Sequence, residues 1–399
     1  MDQIMSHPDS NPAKSILFLG HDASRTGAPM VLLHLLKWLR SNTEHEIRVM
    51  VRGSGSLVES FRAVAETVVL ESTPPSKKLG RLVHRFRNRI NPFLRPPLPA
   101  AWRHMPFDLI YSNTITNGAL VSRLVKPGVP VITHVHEMSH WIEKSGAGNF
   151  QRVMGQTSRF IAASRAVKDN LTVKLRVPAN LVDVVHEFIP NLSGVINGEG
   201  GVRRKFGIPE DAFVIGGSGH ESWRKGRDLF VQLAAYVHRM LPSVDIHFLW
   251  VGYTGDTDDQ KNLAHDAILA GIGNRVHWTG EVPDPDRYFS EFDLFAMVSR
   301  EDPFPLVCLE AALHEKPIVC FADAGGIPEL VEEDAGFVVP YLDLHTMARR
   351  IVELMENPSL AAKFGKRARD KVLERHTVEQ AGPMILDVIE RELKRTKRL

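Results

Sequence analysis

Two acidic residues, Asp302 and Glu310, with seven residues between them, lie within SREDPFPLVCLEAALHEKPIVCFADAGGIPELV, residues 299–331. A strand ends at Ser299, a loop carrying Asp302 follows, and Pro305 suits the first turn of a helix running to about Glu315, where its missing N–H costs nothing. The first N–H groups of such a helix, from Phe304 through Leu306 to Val307, have no intrahelical partner and suit an anion or a ring of hydroxyls. Glu310 follows Leu306 by four residues and precedes Leu313 by three, which puts a carboxylate on the apolar face, costly unless partnered. Two vicinal sugar hydroxyls satisfy one carboxylate in bidentate fashion; a salt bridge within the domain is the other reading.

HEMSH, His136–His140, matches HExxH, which on a helix sets two imidazoles on one face for zinc. Yet His136 closes an apolar, strand-like run, and no third ligand follows at the usual spacing, so a zinc hydrolase is a distant alternative and a buried or capping histidine the plainer one. Asp256–Asp258 and Asp284–Asp286 have the spacing to grip a divalent cation against a diphosphate, but both lie in polar or Pro-rich loops where aspartates are common. No metal and no cofactor are expected. Gly217-Ser218-Gly219 approaches a dinucleotide fingerprint but has Ser222 at the third glycine position, and no GxxxxGK[ST] loop occurs.

These residues are carried by short apolar runs alternating with helical periodicity. Strands are expected at 15–20, 46–51, 108–113, 130–136 and 159–164, then at 212–219, 245–252, 275–280, 294–299, 317–322 and 336–340. Such alternation specifies α/β architecture with parallel sheets wrapped by helices. The Gly/Asn-rich stretch 191–201 reads as a linker between two doubly wound, Rossmann-like domains, 15–190 and 202–377, after a flexible segment 1–14. A last helix over 378–399, with the option of crossing back to the N-terminal domain, ends in RELKRTKRL, which reads either as a second basic membrane contact or as a solvated helix end.

The 399 residues suffice for two or three domains, and 43% hydrophobic content suffices for their cores. With 49 basic against 47 acidic residues, nothing in the bulk charge suggests a nucleic-acid partner. Eight Lys or Arg, from Lys77 to Arg103, nevertheless fall in 72–107 without a single Asp or Glu, and Leu79, Leu82, Val83, Phe86 and Ile90 recur at steps of three and four. The segment 77–103 therefore reads either as a helix lying on an anionic membrane surface or as a helix packed on its own domain with a solvated basic face. No run is long enough to span a membrane, and MDQIMSHPDSNPAK lacks a signal-peptide core, so a cytoplasmic location is expected, with peripheral contact on the inner face of the membrane as an option. Cys308 and Cys320, each in an apolar run, read as reduced structural thiols.

The 299–331 segment resembles the acidic motif of the retaining nucleotide-sugar glycosyltransferases of family 4, the group 1 glycosyltransferases, which have the GT-B fold. In that motif two acidic residues separated by seven precede a strand and a GGxxE turn, here Gly325, Gly326 and Glu329. The chain has DPFP where the family usually has EGFG, and His220 where it often has Arg. WRKGRDLF, 223–230, is similar to the family's KG helix start, and the strand 275–280 to the one near the base; SILFLGHDASRTGAPMVLLHLL resembles the first strand, Gly-rich loop and helix of the N-terminal domain. The resemblance implies two domains facing a central cleft, the N-terminal one for the acceptor and the C-terminal one for a UDP- or GDP-sugar. Lys225, with Arg224, Gly27 and His220, would meet the donor diphosphate. Asp302 and His136, backed by Glu137, would meet the sugar, and Glu310 the ribose. Phe304, Pro305, Leu306, Val276, Trp278, Gly325 and Gly326 would line the sugar and nucleoside sites. The implied reaction is glycosyl transfer with retention to a glycan or lipid-linked acceptor; a nucleotide-sugar-binding protein without transferase activity is the alternative that the departures at His220 and Asp302 leave open.

Overall fold

The computed structural model describes residues 13–71, 98–190, 201–252 and 257–396. Most of the basic segment 72–107, most of the linker 191–201, most of 1–14 and Asp256 lie outside the described residues.

Thirteen described strands form two sheets. The first has β1 (Ser15–Gly20), β2 (Glu46–Val51), β3 (Glu66–Val69), β4 (Leu109–Ser112), β5 (Val131–Val135), β6 (Arg159–Ala162) and β7 (Val182–Val184), in the order β3-β2-β1-β4-β5-β6-β7. The second has β8 (Phe213–Ser218), β9 (Ile246–Val251), β10 (Val276–Trp278), β11 (Leu294–Met297), β12 (Ile318–Phe321) and β13 (Gly336–Val339), in the order β10-β9-β8-β11-β12-β13. Pairings such as β1 with β4 and β8 with β11 are parallel. Parallel strands need helical crossovers, which cover both faces and explain why β1 and β9 are apolar almost throughout. Both sheets reverse direction of winding beside their first strand, and ligands of open α/β sheets sit beyond the carboxyl ends of strands at such a point. In the second sheet that point is served by the loops after β8 and β11.

All eleven strands expected from apolar runs are present. The two that were not expected, β3 and β7, are the edges of the first sheet; a one-sided edge needs no continuous apolar run, and β3 has no fully buried residue.

The described residues fall into two compact units, one within Met1–Val135, Ile142–Ile161 and Met384–Leu399, the other within His136–Trp141 and Ala162–Pro383. In the first, Leu17, Leu19, Met50, Trp102 and Ile110 form an apolar layer. The last helix, Val378–Thr396, contains Pro383, and beyond it Glu390 Oε1 accepts from His45 Nε2 at 2.9 Å within the first unit. In the second unit Phe230, Phe248, Trp250 and Ile351 fill one layer and Leu249, Phe292, Phe295 and Cys308 another. No described helix is long and apolar enough to cross a membrane.

Candidate functional site

The loops leaving β8 and β11 converge on Asp302. Its Oδ2 accepts from Lys225 Nζ at 2.7 Å and from Arg224 Nη1 at 3.1 Å, with Asp302 and Lys225 both buried. Arg224 and Lys225 lie on a short 3-10 turn, Trp223–Lys225, ended by Gly226. Gly226 has φ +72° and a Cβ there would stand 2.2 Å from Val298 O, so the turn tolerates no side chain at this position. Arg300 ties the two loops together: its backbone N–H donates to Arg224 O at 2.7 Å, and its guanidinium forks onto Asp228 at 2.8 and 2.6 Å.

Two cations thus surround one carboxylate. Burial works against the charge on Asp302, but Lys225 and Arg224 outweigh it and hold the carboxyl below the usual carboxylate range. Lys225 moves down as well, because burial and its neighbour Arg224 together exceed what Asp302 returns. The opposite benefit to the two partners follows from the stoichiometry: the carboxylate gains from both cations, while the lysine shares one anion with a guanidinium. Lys225 and Arg224 share the single carboxylate of Asp302, with Glu301 also acting on Arg224, and an incoming anion would add a partner for the two cations. His220, half-buried and beside the same two cations, is pushed down to about 4, so it is neutral at pH 7 and adds no charge to the cluster.

The Gly-Gly turn closes against this loop. Asp302 and Gly325 form an isolated parallel bridge, Asp302 N–H donates to Ala324 O at 2.7 Å, and Gly326 N–H donates to Pro303 O at 3.0 Å. Gly325 has φ +138° and a Cβ there would lie 1.6 Å from Asp302 O. Pro305 precedes the helix Leu306–Leu313, shorter than the one expected to reach Glu315, where φ is +56°. Phe304 is buried in the core, Leu306 packs on its margin, and Glu310 is half-buried between the fully buried Leu309 and Ala311. The third conserved-type position of the turn, Glu329, accepts from the N–H groups of Arg165 and Ala166 at 3.1 and 3.0 Å and meets His186 Nε2 at 2.6 Å, which holds its carboxyl below the usual range despite burial.

His136 follows β5 directly and belongs to the second unit. Its Nδ1 meets Glu187 Oε1 at 2.5 Å, both side chains being buried, and its N–H donates to Glu137 Oε2 at 3.0 Å. Successive residues of the extended chain point opposite ways, so His186, next to Glu187, turns to Glu329 and to the Phe304 ring, 5.2 Å away. One stretch of backbone thereby touches His136 on one side and the Gly-Gly turn on the other. The helix of this region is Ser139–Ser145. His136 and Glu137 precede it, so the two imidazoles of HEMSH do not share a helical face. Among the described residues no three His, Cys, Asp or Glu side chains are grouped to hold a metal, and Asp286 faces His314 Nε2 at 3.3 Å.

Val276 is buried in the core of the second unit and offers only its backbone. Trp278, half-buried on the same strand, has the Arg227 guanidinium 6.0 Å above its ring. Gly27 opens the helix Gly27–Asn42 of the first unit, exposed, with nothing within 4 Å of where a Cβ would be. Glu187 and Arg300 were missed by sequence reasoning. The available signal was a lone Glu in an otherwise apolar run before Pro190, and an Arg adjoining the acidic pair.

Comparison with known proteins matches residues 201–371 to the family described as glycosyl transferases group 1 and residues 25–190 to the one described as glycosyltransferase family 4. The chain is 28% identical over 179 residues to the lipopolysaccharide core biosynthesis mannosyltransferase LpcC of Rhizobium leguminosarum bv. viciae, covering 43% of this chain and 49% of LpcC. It is 23% identical over 316 residues to the O-antigen biosynthesis glycosyltransferase WclY of Escherichia coli, covering 76% and 79%. The match thus spans about half the length of the first of these relatives. Among solved structures, Anabaena Alr3699/HepE in complex with UDP-glucose is similar with a TM-score of 0.74 and 23% identity, over 95% of this chain and all of that one.

Proposed function

The chain belongs to the group 1 glycosyltransferases and has their GT-B fold, and from that premise we propose that it transfers a sugar from a nucleoside-diphosphate sugar, UDP- or GDP-linked, to a glycan or lipid-linked acceptor, with retention and without a metal. The observation that carries this reading is the pairing of Lys225 and Arg224 with the single carboxylate of Asp302, built by the loops beyond β8 and β11 at the winding reversal. A departing diphosphate develops charge in the transition state, and fixed cations in a site poor in water stabilise it without reorganising. Lys225 and Arg224 take that role, which a metal supplies in other designs.

Glu310 binds ribose hydroxyls, Asp302 and His136 bind the transferred sugar, and Gly325 and Gly326 let backbone approach it. Trp278 and the backbone of Val276 border the base, with Phe304, Pro305 and Leu306 shaping the wall. Gly27 lets the N-terminal loop come near the diphosphate. Cys308 and Cys320 are buried, with thiols pushed up by that burial, so neither is suited to serve as nucleophile. The acceptor oxygen then attacks on the face that the diphosphate leaves, its proton passing to the leaving phosphate. The relatives that act on lipopolysaccharide core and O-antigen support an envelope-glycan acceptor, and a cytoplasmic protein held on the inner membrane surface suits such an acceptor.

Thermal unfolding with UDP, GDP, ADP and CDP, each with and without EDTA, tests the reading. One nucleotide at about 100 times its Kd should add about 2.7 kcal/mol to the unfolding free energy, equally with and without EDTA. No response to any nucleotide would sink the proposal. Donor turnover measured beside it separates transfer from binding alone.

A further inference from the structure

We infer that Glu187 is a positioning residue of this site: it sets the ring orientation and the protonation with which His136 meets the donor sugar. The inference rests on the function proposed above for His136.

The pair is short and enclosed, Nδ1 to Oε1 at 2.5 Å with both side chains almost wholly out of solvent. Glu187 Oε2 is buried and has no hydrogen-bond partner among the described residues. A carboxylate in that situation is tolerated chiefly through a cationic or proton-sharing neighbour, and the neighbour here is the imidazole. Backbone geometry adds to the constraint. Glu187 sits between Val185, whose N–H donates to Ala162 O at 3.1 Å, and Ile189, whose N–H donates to His376 O at 3.0 Å, so its main chain is tied on both sides.

Burial opposes the charge on His136, yet the carboxylates of Glu187 and, from its own segment, Glu137 outweigh burial and its pKa rises. The neighbouring histidines go the other way. His376, buried against His186, is pushed down to about 3 and His220 to about 4. His136 is thus set apart from the buried His376 and the half-buried His220 by its carboxylate partner. The hydrogen bond at Nδ1 fixes the ring, as a second-sphere carboxylate fixes a ligating histidine. A charged imidazole at the donor sugar also favours the electron-rich leaving group.

The sign of the pH effect follows. Because the folded pKa lies above 6.5, a step that needs protonated His136 is supported below that value and declines as pH rises through it. In Glu187→Gln the anion is gone, burial dominates, and the decline moves to lower pH. We expect Glu187→Gln to lose more of its kcat/KM at pH 8 than at pH 5.5, with Glu187→Asp intermediate. A purely structural role would lower activity by the same factor at both pH values. The His136 ring titration, followed by NMR in the wild-type chain and assigned against His136→Gln, reads the pair without turnover: a value above 6.5 is expected, and one at or below 6.5 overturns the inference, as does a pH-independent loss in Glu187→Gln. Wild-type protein with a raised His136 titration but no donor turnover would refute the proposed transferase activity, and with it the positioning role.

Discussion

Asp302 is where the residue scale yields most. Its pairing with Glu310, like Lys225 in the KG turn, was legible through resemblance to the family's motifs; spacing alone left a salt bridge open at Glu310. What spacing did not reveal is that one carboxylate oxygen serves both Lys225 and Arg224, since residues 77 and 78 positions apart in sequence leave no local trace of their contact. Glu187 was illegible for the same reason: its partner lies 51 residues away. Asp302→Asn leaves the buried Lys225 without its anion and should cost about 3–5 kcal/mol in unfolding free energy by denaturant titration. The folded pKa of Asp302 is depressed, so this contribution is present above the unfolded carboxylate value and is lost as pH falls through the folded one. The gap between wild type and Asp302→Asn should therefore hold constant from pH 5 to 8 and narrow below about pH 4. His220 makes a complementary expectation. Held neutral above about 4, it should give nucleotide binding no pH dependence between 6 and 8, and His220→Arg should tighten UDP or GDP binding in calorimetry by adding a permanent cation.

At the scale of elements, the strands were legible because each is a short apolar run between turns, and both unforeseen strands are edges. The interlock of loop and turn was only half legible. The Gly-Gly pair announced a tight approach, but what is approached, the carbonyl of Asp302, is a tertiary fact. Gly325→Ala would combine positive φ with a backbone collision, which should cost about 3 kcal/mol or more and displace the acidic loop. The check is a melt in which Gly325→Ala loses both stability and the nucleotide-induced shift, while Gly27→Ala, where space is open, melts like the wild type.

For the whole molecule, two parallel sheets with the same winding reversal were readable from the alternation of strand and helix signals, because parallel pairing demands a crossover between strands. The basic stretch 77–103, of which residues 77–97 lie outside the described residues, carries the proposal of membrane contact. Sedimentation with vesicles containing anionic lipid should pull the protein down at low salt and release it as ionic strength rises, whereas vesicles of neutral lipid should not. Failure to sediment at low salt would remove the membrane from the proposed function.

The composition of the first unit also bears on how the molecule is made. Its sheet is encoded early, yet the helical segment from Met384, with Glu390 against His45, comes after the whole of the second unit in the chain. During synthesis the first unit must wait, without those residues, while more than 200 others emerge and fold. A cut at the glycine-rich joint would accordingly not yield two self-sufficient halves: the earlier fragment lacks a piece of its own body, and the later one carries it away.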